Sequence, residues 1–237
     1  MYAAIDECAM RFAQIPEQRQ SLIEFLAQGI TPERMQRLQT VLSQRTRHIA
    51  VMLENIFQAQ NASAVLRSCE CFGIQDVYTV ETQNAFVVDR EVDMSASKWL
   101  TLHHFNTHQQ ATTQAITTIR NKGYKIIATS PYAEHTLDSI DLSQPIALMF
   151  GTELTGLTEI AMAQADDLVR IPMYGFIESF NISVSAAICL HTLTTRLRAS
   201  QHNYGLSPDE RDDLMLRWLL HSTKHWHLLV ERFCNTQ

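Results

Sequence analysis

The spacing of apolar residues divides the chain into three parts. Over residues 4–44 apolar side chains recur at helical intervals, which predicts amphipathic helices. From residue 48 short apolar runs alternate with helical segments, and beyond residue 207 helical spacing returns and continues to Phe233. The pattern therefore predicts a central domain over residues 46–199 with helical extensions over residues 1–45 and 200–237.

The central part predicts strands that alternate with helices. Its apolar runs are continuous, as in IALMF, which is typical of parallel strands covered by helices on both faces. The predicted strands are 48–53, 77–80, 102–105, 125–129, 145–150 and 168–171, and the predicted helices are 61–72, 108–122, 156–165 and 181–199. Thr31-Pro32 and Ser207-Pro208 each place proline after a capping residue, which predicts a helix start. We expect an α/β fold built on a parallel sheet.

The composition indicates a folded protein and excludes several other classes. The chain is 46% hydrophobic and 19% charged, with only 7 Gly and 6 Pro, as in globular domains. No basic and apolar leader opens it, and the charge-free run 179–195 is too short and too polar to span a membrane. Five cysteines without CxxC spacing indicate reduced thiols in the cytoplasm, and they provide no metal site because a fourth ligand is missing.

Charge is distributed unevenly along the chain. The net charge is −6, but residues 1–50 carry six Arg against five acids, and residues 196–237 carry six cations against five acids. Residues 51–195 carry seven cations against fifteen acids. A polyanionic partner would therefore bind at the ends of the chain. The simpler alternative is that these helices are merely solvated.

The ends of the predicted strands are the candidate ligand site, because parallel α/β sheets bind ligands at the carboxyl ends of their strands. The segments ATSPY, FGTELTG and IPMYG follow three of these strands. Gly151 and Gly156 allow a ligand to approach the backbone closely. Neither GxGxxG nor GxxxxGK[ST] occurs, which argues against a nicotinamide oxidoreductase and against a phosphate-loop enzyme.

Three segments resemble, in order, the three motifs of a known enzyme family. They are NASAVLRSCECFGI (61–74), IALMFGTELTGLT (146–158) and IPMYGFIESFNISVSAAI (171–188). Over about residues 48–198 the chain resembles the SpoU/TrmH family of RNA ribose 2′-O-methyltransferases, in the SPOUT superfamily. The resemblance implies a C-terminal trefoil knot in the α/β fold, an obligate homodimer, S-adenosylmethionine as the methyl donor and an RNA ribose hydroxyl as the acceptor.

The resemblance also implies roles for individual residues. The donor would be held by Thr129, Gly151, Ile171, Met173 and Phe180. The acceptor pocket would contain Asn61, Arg67, Glu153, Ser179 and Asn181. Arg67 would be essential, either as a base or as a clamp on an RNA phosphate, and its pKa above about 12 leaves both open. Asn61 and Asn181 are also placed where each could cap a helix.

Departures from the family pattern bear on the substrate. Thr152, Leu154 and Phe180 differ from the commoner residues, and the GTELTGLT loop is closer to the tRNA branch than to the rRNA branch. About 45 residues before the core are too few for a separate RNA-binding domain. The arrangement resembles the enzymes that methylate guanosine 18 in the tRNA D-loop, and tRNA would contact Arg11, Arg19, Arg196 and Arg198. Methylation of rRNA or of an anticodon-loop ribose, and a non-catalytic RNA-binding role, are the alternatives.

Overall fold

A computed structural model describes residues 2–107 and 110–236 of the protein. The helices are α1 (Tyr2–Ala13), α2 (Pro16–Ala27), α3 (Pro32–Leu42), α4 (Ala59–Phe72), α5 (Arg90–Asp93), α6 (Ala111–Asn121), α7 (Glu159–Ala163), α8 (Ile182–Ala199), α9 (Pro208–Ser222) and α10 (Trp226–Thr236). The strands are β1 (Ile49–Glu54), β2 (Asp76–Val80), β3 (Thr101–Phe105), β4 (Lys125–Thr129), β5 (His135–Thr136), β6 (Ile146–Phe150) and β7 (Asp167–Arg170).

The chain forms two compact units. One is helical and consists of the described parts of Met1–Arg45 and Gly205–Gln237, and the other is the α/β unit Thr46–Tyr204. The two ends of the chain, which the sequence analysis treated as separate extensions, thus pack together as one unit.

The helical unit has its own core, in which α1, α2 and α3 pack against α9. Leu22 and Trp218 are almost completely buried there, as the amphipathic spacing requires. Thr31 caps α3, and Ser207 forms a reciprocal capping box with Glu210 at the start of α9. Both predicted helix starts are confirmed.

The α/β unit is built on a seven-stranded sheet in the order β3-β2-β1-β6-β4-β7-β5, with every pair of neighbours parallel. Along β1, Ile49, Val51 and Leu53 enter the core that contains α4 and α8. Ala50 and Met52 enter the opposite core, which contains residues of α6 and α7. Helices therefore cover both faces, which confirms the α/β prediction and explains the continuous apolar runs.

Some element boundaries differ from the predicted ones. Helix α7 spans only Glu159–Ala163, because residues before it form a hydrogen-bonded turn and Thr158 caps the helix. The first two residues of the predicted helix 108–122 lie outside the described residues, and α6 is Ala111–Asn121. The short, polar strand β5 and the one-turn helix α5 were not predicted, because neither has an apolar run.

The strand order reverses between β1 and β6. The chain passes from β1 outward through β2 to β3, whereas β6, β4, β7 and β5 lie on the other side of β1. Loops that leave neighbouring strands in opposite directions open a crevice at the carboxyl ends. The β1 and β6 loops carry the first and second motifs, so the topology places both at this crevice.

None of the described helices is long and apolar enough to cross a membrane. No cluster of three or more His, Cys, Asp or Glu side chains that could hold a metal ion occurs within residues 2–107 and 110–236.

Candidate active site

A cavity of about 480 Å³ lies at the carboxyl ends of β4, β6 and β7. This volume is within the range of cofactor pockets. The cavity is lined by all five residues that the sequence analysis assigned to the donor, namely Thr129, Gly151, Ile171, Met173 and Phe180. Glu153 and Ser179 line it too. Loops that follow three different strands therefore share one cavity.

Gly151 shows why one wall of the cavity needs glycine. Thr152 and Gly156 exchange two backbone hydrogen bonds of 3.0 Å, which closes the loop into a tight turn. A Cβ on Gly151 would lie 2.1 Å from the carbonyl carbon of Gly156. Gly156 itself has φ +71°, a conformation that favours glycine. Glycine at these two positions thus lets the loop close tightly at the edge of the cavity.

Buried Glu54 anchors the far end of the same loop. Glu54 is only 1% exposed. Its carboxylate accepts hydrogen bonds from the Thr158 amide (2.8 Å), the Thr158 hydroxyl (2.9 Å) and the Thr112 hydroxyl (2.6 Å). Satisfying a buried carboxylate with several donors offsets its desolvation. The position of the second motif is therefore set from β1.

Asn61 connects the three motifs through its side chain. Its amide nitrogen donates to Glu153 Oε1 at 2.6 Å, and its amide oxygen accepts from Asn181 Nδ2 at 3.0 Å. Helix α4 begins two residues before Asn61, with Gln58 as the N-cap residue. Asn61 is therefore not the cap of the helix, and capping does not account for it. Its buried side chain instead joins the first, second and third motifs.

The direction of this network is fixed at Asn181. The oxygen of its side chain accepts from the amide (2.9 Å) and the hydroxyl (2.6 Å) of Ser183, so Asn181 also caps α8. Its NH₂ group must then face Asn61, whose own NH₂ faces Glu153. The second oxygen of Glu153 has no hydrogen bond from the described residues, and this carboxylate borders the cavity.

Arg67 stands apart from these residues. It is exposed on α4, and no hydrogen bond or ion pair joins its guanidinium to the described part of the chain. Its charge is therefore available to a ligand. The structure does not bring Arg67 into contact with Glu153 or Asn181, so its catalytic role stays a prediction.

The four arginines predicted to contact RNA have different surroundings. The prediction is wrong for Arg19, which is 2% exposed and pairs with both Asp209 and Asp213 in the helical unit. Arg196 is half-buried and donates to the carbonyl groups of Leu137 (2.5 Å) and Ile140 (2.7 Å). Arg11 and Arg198 are exposed, and they remain candidates.

Sequence reasoning missed several polar residues of the site. Gln58 accepts a hydrogen bond from Asn61 at 3.1 Å. Tyr132 and Glu178 line the cavity, and the Tyr132 hydroxyl donates to Glu178 at 3.4 Å. Glu54 had one visible signal, because it is a single acid directly after an apolar strand. The others have none, since their partners are distant in sequence.

Solved structures of RNA-modifying enzymes share the fold of this chain. A crystal structure of the A. aeolicus TrmH/SpoU tRNA modifying enzyme superposes with a TM-score of 0.70 at 25% identity, over 81% of this chain and 98% of that one. The methyltransferase AviRb from Streptomyces viridochromogenes, in complex with the cofactor AdoMet, shares the fold at 18% identity, with a TM-score of 0.54 over 68% of this chain and 62% of that one.

Sequence relatives extend the similarity over most of the chain. A tRNA (guanosine(18)-2′-O)-methyltransferase of Borreliella burgdorferi is 36% identical over 90% of this chain and 96% of its own length. A protein of the same name from Thermus thermophilus is 31% identical over 80% of this chain and 97% of its own. The model of the SpoU rRNA Methylase family matches residues 48–191. The chain therefore belongs to the SpoU family of RNA methyltransferases.

Proposed function

We propose that the protein is a tRNA (guanosine(18)-2′-O)-methyltransferase that uses S-adenosylmethionine. The observation that carries the proposal is the Asn181–Asn61–Glu153 network beside the cavity, because it joins all three motifs in one place. The relatives named for this reaction align with nearly their whole length, which supports the tRNA substrate over the rRNA and anticodon-loop alternatives.

The cavity suits S-adenosylmethionine in size and in chemistry. Gly151 and Gly156 both line the cavity, and glycine lets a flat group such as adenine approach the backbone closely. Two acids, Glu153 and Glu178, and one cation, Arg170, line the cavity, and this excess of negative charge favours a cationic ligand. When bound, the cofactor supplies an electrophilic methyl group on a sulfonium. Thr129 uses its hydroxyl within the protein, donating to the Met149 carbonyl at 2.8 Å, so it shapes the wall rather than contacting the donor through that group.

At the acceptor, Glu153 is the group best placed to bind a ribose hydroxyl. Asn61 holds one of its oxygens, and the other can accept the hydrogen bond of an incoming 2′-OH. Orienting the hydroxyl in this way makes its lone pair available for in-line attack on the methyl carbon, and positioning contributes a large part of catalysis. The bond from that carbon to sulfur would break, leaving S-adenosylhomocysteine, and Glu153 would take up the hydroxyl proton. Arg67 would bind an adjoining phosphate as a bidentate clamp, and this would lower the negative charge near the reacting oxygen.

RNA binding would use the exposed cations Arg11 and Arg198. We expect an Arg11→Ala/Arg198→Ala variant to bind tRNA more weakly, and to show a shallower dependence of log Kd on log salt concentration, because each lost phosphate contact reduces the slope by about 0.9. Fluorescence anisotropy at several salt concentrations measures both. Arg90→Ala, which removes an exposed cation of α5, is the control.

The proposal includes the trefoil knot and the homodimer of the family. The loops after β4, β6 and β7 all border the cavity, and these are the loops that would form the knot of the family. Tyr174, Phe176 and Ile177 are at least 75% exposed in this single chain. Apolar side chains clustered in this way favour cover by a second copy. Sedimentation of the full-length protein tests the dimer.

Methyl transfer can be tested with labelled S-adenosylmethionine and an unmodified tRNA transcript. We expect 2′-O-methylguanosine at position 18, identified by digestion and mass spectrometry. The matched control is the same tRNA with 2′-deoxyguanosine at that position, which lacks the acceptor hydroxyl and should remain unlabelled.

Other outcomes would change the proposal in defined ways. Label in a base, or label in rRNA alone, would contradict it. An absence of transfer to any RNA, together with tight RNA binding, would favour the non-catalytic alternative. In that case Asn61→Asp, which places a second carboxylate against Glu153, would leave RNA binding unchanged.

A further inference from the structure

Phe57 is an exposed aromatic residue on the loop between β1 and α4. Phe57 is 73% exposed, although every residue of the preceding strand β1 is buried. Burying a phenylalanine side chain is favourable by about 1.5–3 kcal/mol. An exposed ring at this place therefore favours a partner that covers it.

The loop presents Phe57 in a fixed position. Asn55 has a left-handed backbone with φ +55° and is 1% exposed. Its side-chain oxygen accepts hydrogen bonds from the backbone amides of Thr82 (2.8 Å) and Gln83 (2.9 Å). The backbone amide of Asn55 donates to the Val80 carbonyl at 2.9 Å. Ile56 enters the core beside Phe57. Residues on both sides of this loop are thus anchored, which lowers the entropic cost of using the ring for binding.

The other end of the loop leads directly to the acceptor network. Gln58, the residue after Phe57, accepts a hydrogen bond of 3.1 Å from Asn61, which in turn donates to Glu153 at 2.6 Å. Tyr174 and Phe176 are also exposed, but they lie within three residues of Met173, a residue of the donor cavity. Phe57 lies on the acceptor side of the described site, and it is more exposed than Phe180, which is 44% exposed and lines the donor cavity.

We propose that Phe57 binds the substrate by stacking on the base of the nucleotide whose ribose is methylated. The inference rests on the proposed function, because it requires a ribose at Glu153. A base attached to that ribose lies within a few ångströms of the network, and single-stranded RNA bases are commonly held on aromatic rings. A phenyl ring has no hydrogen-bonding group, so it holds the nucleotide in place without distinguishing one base from another.

A double-mutant cycle tests this contact directly. Binding is measured by fluorescence anisotropy for wild-type protein and Phe57→Ala, each with a tRNA that carries either guanosine or an abasic ribose at position 18. We expect Phe57→Ala to weaken binding of the intact tRNA by about 10- to 100-fold, the usual range for a lost base–aromatic stack. With the abasic tRNA the two proteins should bind equally, because the contact is already absent.

Two further variants control the experiment. Phe57→Trp keeps an aromatic face and should restore binding of the intact tRNA. Val87→Ala removes another exposed apolar side chain and should change nothing. S-adenosylhomocysteine should raise the Tm of every variant equally, which shows that the donor cavity is intact.

Each alternative result is distinct. Equal losses for the intact and the abasic tRNA would show that the ring does not contact this base, and would overturn the proposal. A change in oligomeric state with Phe57→Ala would mean that a second copy covers the ring. If wild-type protein methylates tRNA but the cycle shows no coupling, only the stacking inference fails. If the wild-type protein methylates no RNA, the proposed function fails. If it methylates another nucleotide, the same double-mutant cycle is measured with an abasic ribose at that nucleotide.

Discussion

The carboxyl and amino ends of the sheet hold their acids in contrasting ways. At the carboxyl end, Glu153 is bound by the neutral amide of Asn61 and borders a cavity. At the amino end, Asp76 is 1% exposed and meets His103 at 2.9 Å and Arg47 at 3.5 Å. One carboxylate keeps an oxygen for a ligand, whereas the other is matched by cations of the protein itself.

The surroundings of Asp76 extend the contrast. Burial opposes ionisation of Asp76, but the hydrogen bond from His103 and the charge of Arg47 outweigh it and lower its pKa. Tyr78 stacks on His103 with 4.4 Å between ring centroids and accepts a hydrogen bond of 3.0 Å from Lys122. Burial, followed by the negative charge of Asp76, raises the pKa of Tyr78, and burial lowers the pKa of Lys122.

The comparison shows that charged clusters alone do not indicate a functional site. The amino-end cluster has several ionisable groups with shifted pKa values, namely Asp76, Tyr78 and Lys122, yet the partners of Asp76 are groups of the protein itself. The carboxyl-end network has few charges but an incomplete hydrogen-bond set. Variants at the amino end should therefore change stability, and variants at the carboxyl end should change activity.

The largest effect is expected for Gly151→Ala. The added methyl group would lie 2.1–2.2 Å from backbone atoms of Gly156 and Leu157, so the loop must move and the donor cavity must change shape. We expect S-adenosylhomocysteine to lose its effect on Tm and methyl transfer to be abolished. Gly175→Ala is the matched control, because the nearest atom to its Cβ is 4.0 Å away. Retained ligand binding in Gly151→Ala would show that the loop does not form the donor wall.

The next effect is that of Arg67→Ala. We expect methyl transfer to fall on the order of 10²-fold or more, as when one group that stabilises charge at the reacting atoms is removed. Tm should stay unchanged, because Arg67 bonds to none of the described residues. Measuring both kcat and Tm distinguishes a loss of catalysis from a loss of stability. Arg67→Lys, which keeps the charge but loses the bidentate fork, should recover only part of the activity.

The converse result is expected for Asp76→Asn at the amino end. Loss of the carboxylate leaves partly buried cations without their counter-charge, which should lower the free energy of unfolding by about 2 kcal/mol. The KM for tRNA and kcat should remain those of the wild type. Urea denaturation and steady-state kinetics measure the two quantities, with Asp138→Asn, an exposed position, as the control. A fall in kcat without a fall in stability would break the comparison.

The smallest effect concerns acid pH. Because the folded-state pKa of Asp76 is lowered, its contribution to stability is present above the ordinary carboxyl pKa of about 3.9 and is lost as the pH falls below it. The Tm of Asp76→Asn should therefore decline less steeply than that of the wild type between about pH 5 and pH 3. Identical slopes would show that Asp76 does not contribute to the acid sensitivity.

The sequence predicted the strands and motif loops because these depend on local patterns. Continuous apolar runs identified β1 and β6, and the caps Thr31 and Ser207 located two helix starts. The assignment of the motif residues came from the family resemblance. Neither source could show that Asn61 binds Glu153 across 92 positions, because such a contact depends on strand order.

Two arginines show most clearly that local patterns do not reveal long-range contacts. Arg19 and Arg67 both stand on predicted amphipathic helices, and no local pattern distinguishes them. Arg19 is buried because Asp209 and Asp213, on α9, face it, whereas Arg67 meets no acid among the described residues. Only the tertiary packing separates a structural cation from one that can bind RNA.

The pairing of Arg19 with α9 also has a consequence for protein synthesis. Its carboxylate partners are 190 and 194 positions further along the chain, so α1, α2 and α3 leave the ribosome long before their core can close. The intervening α/β unit can fold first, as domains do during translation. The first helices to be made are thus completed among the last, and until α9 emerges their apolar faces remain open to chaperones.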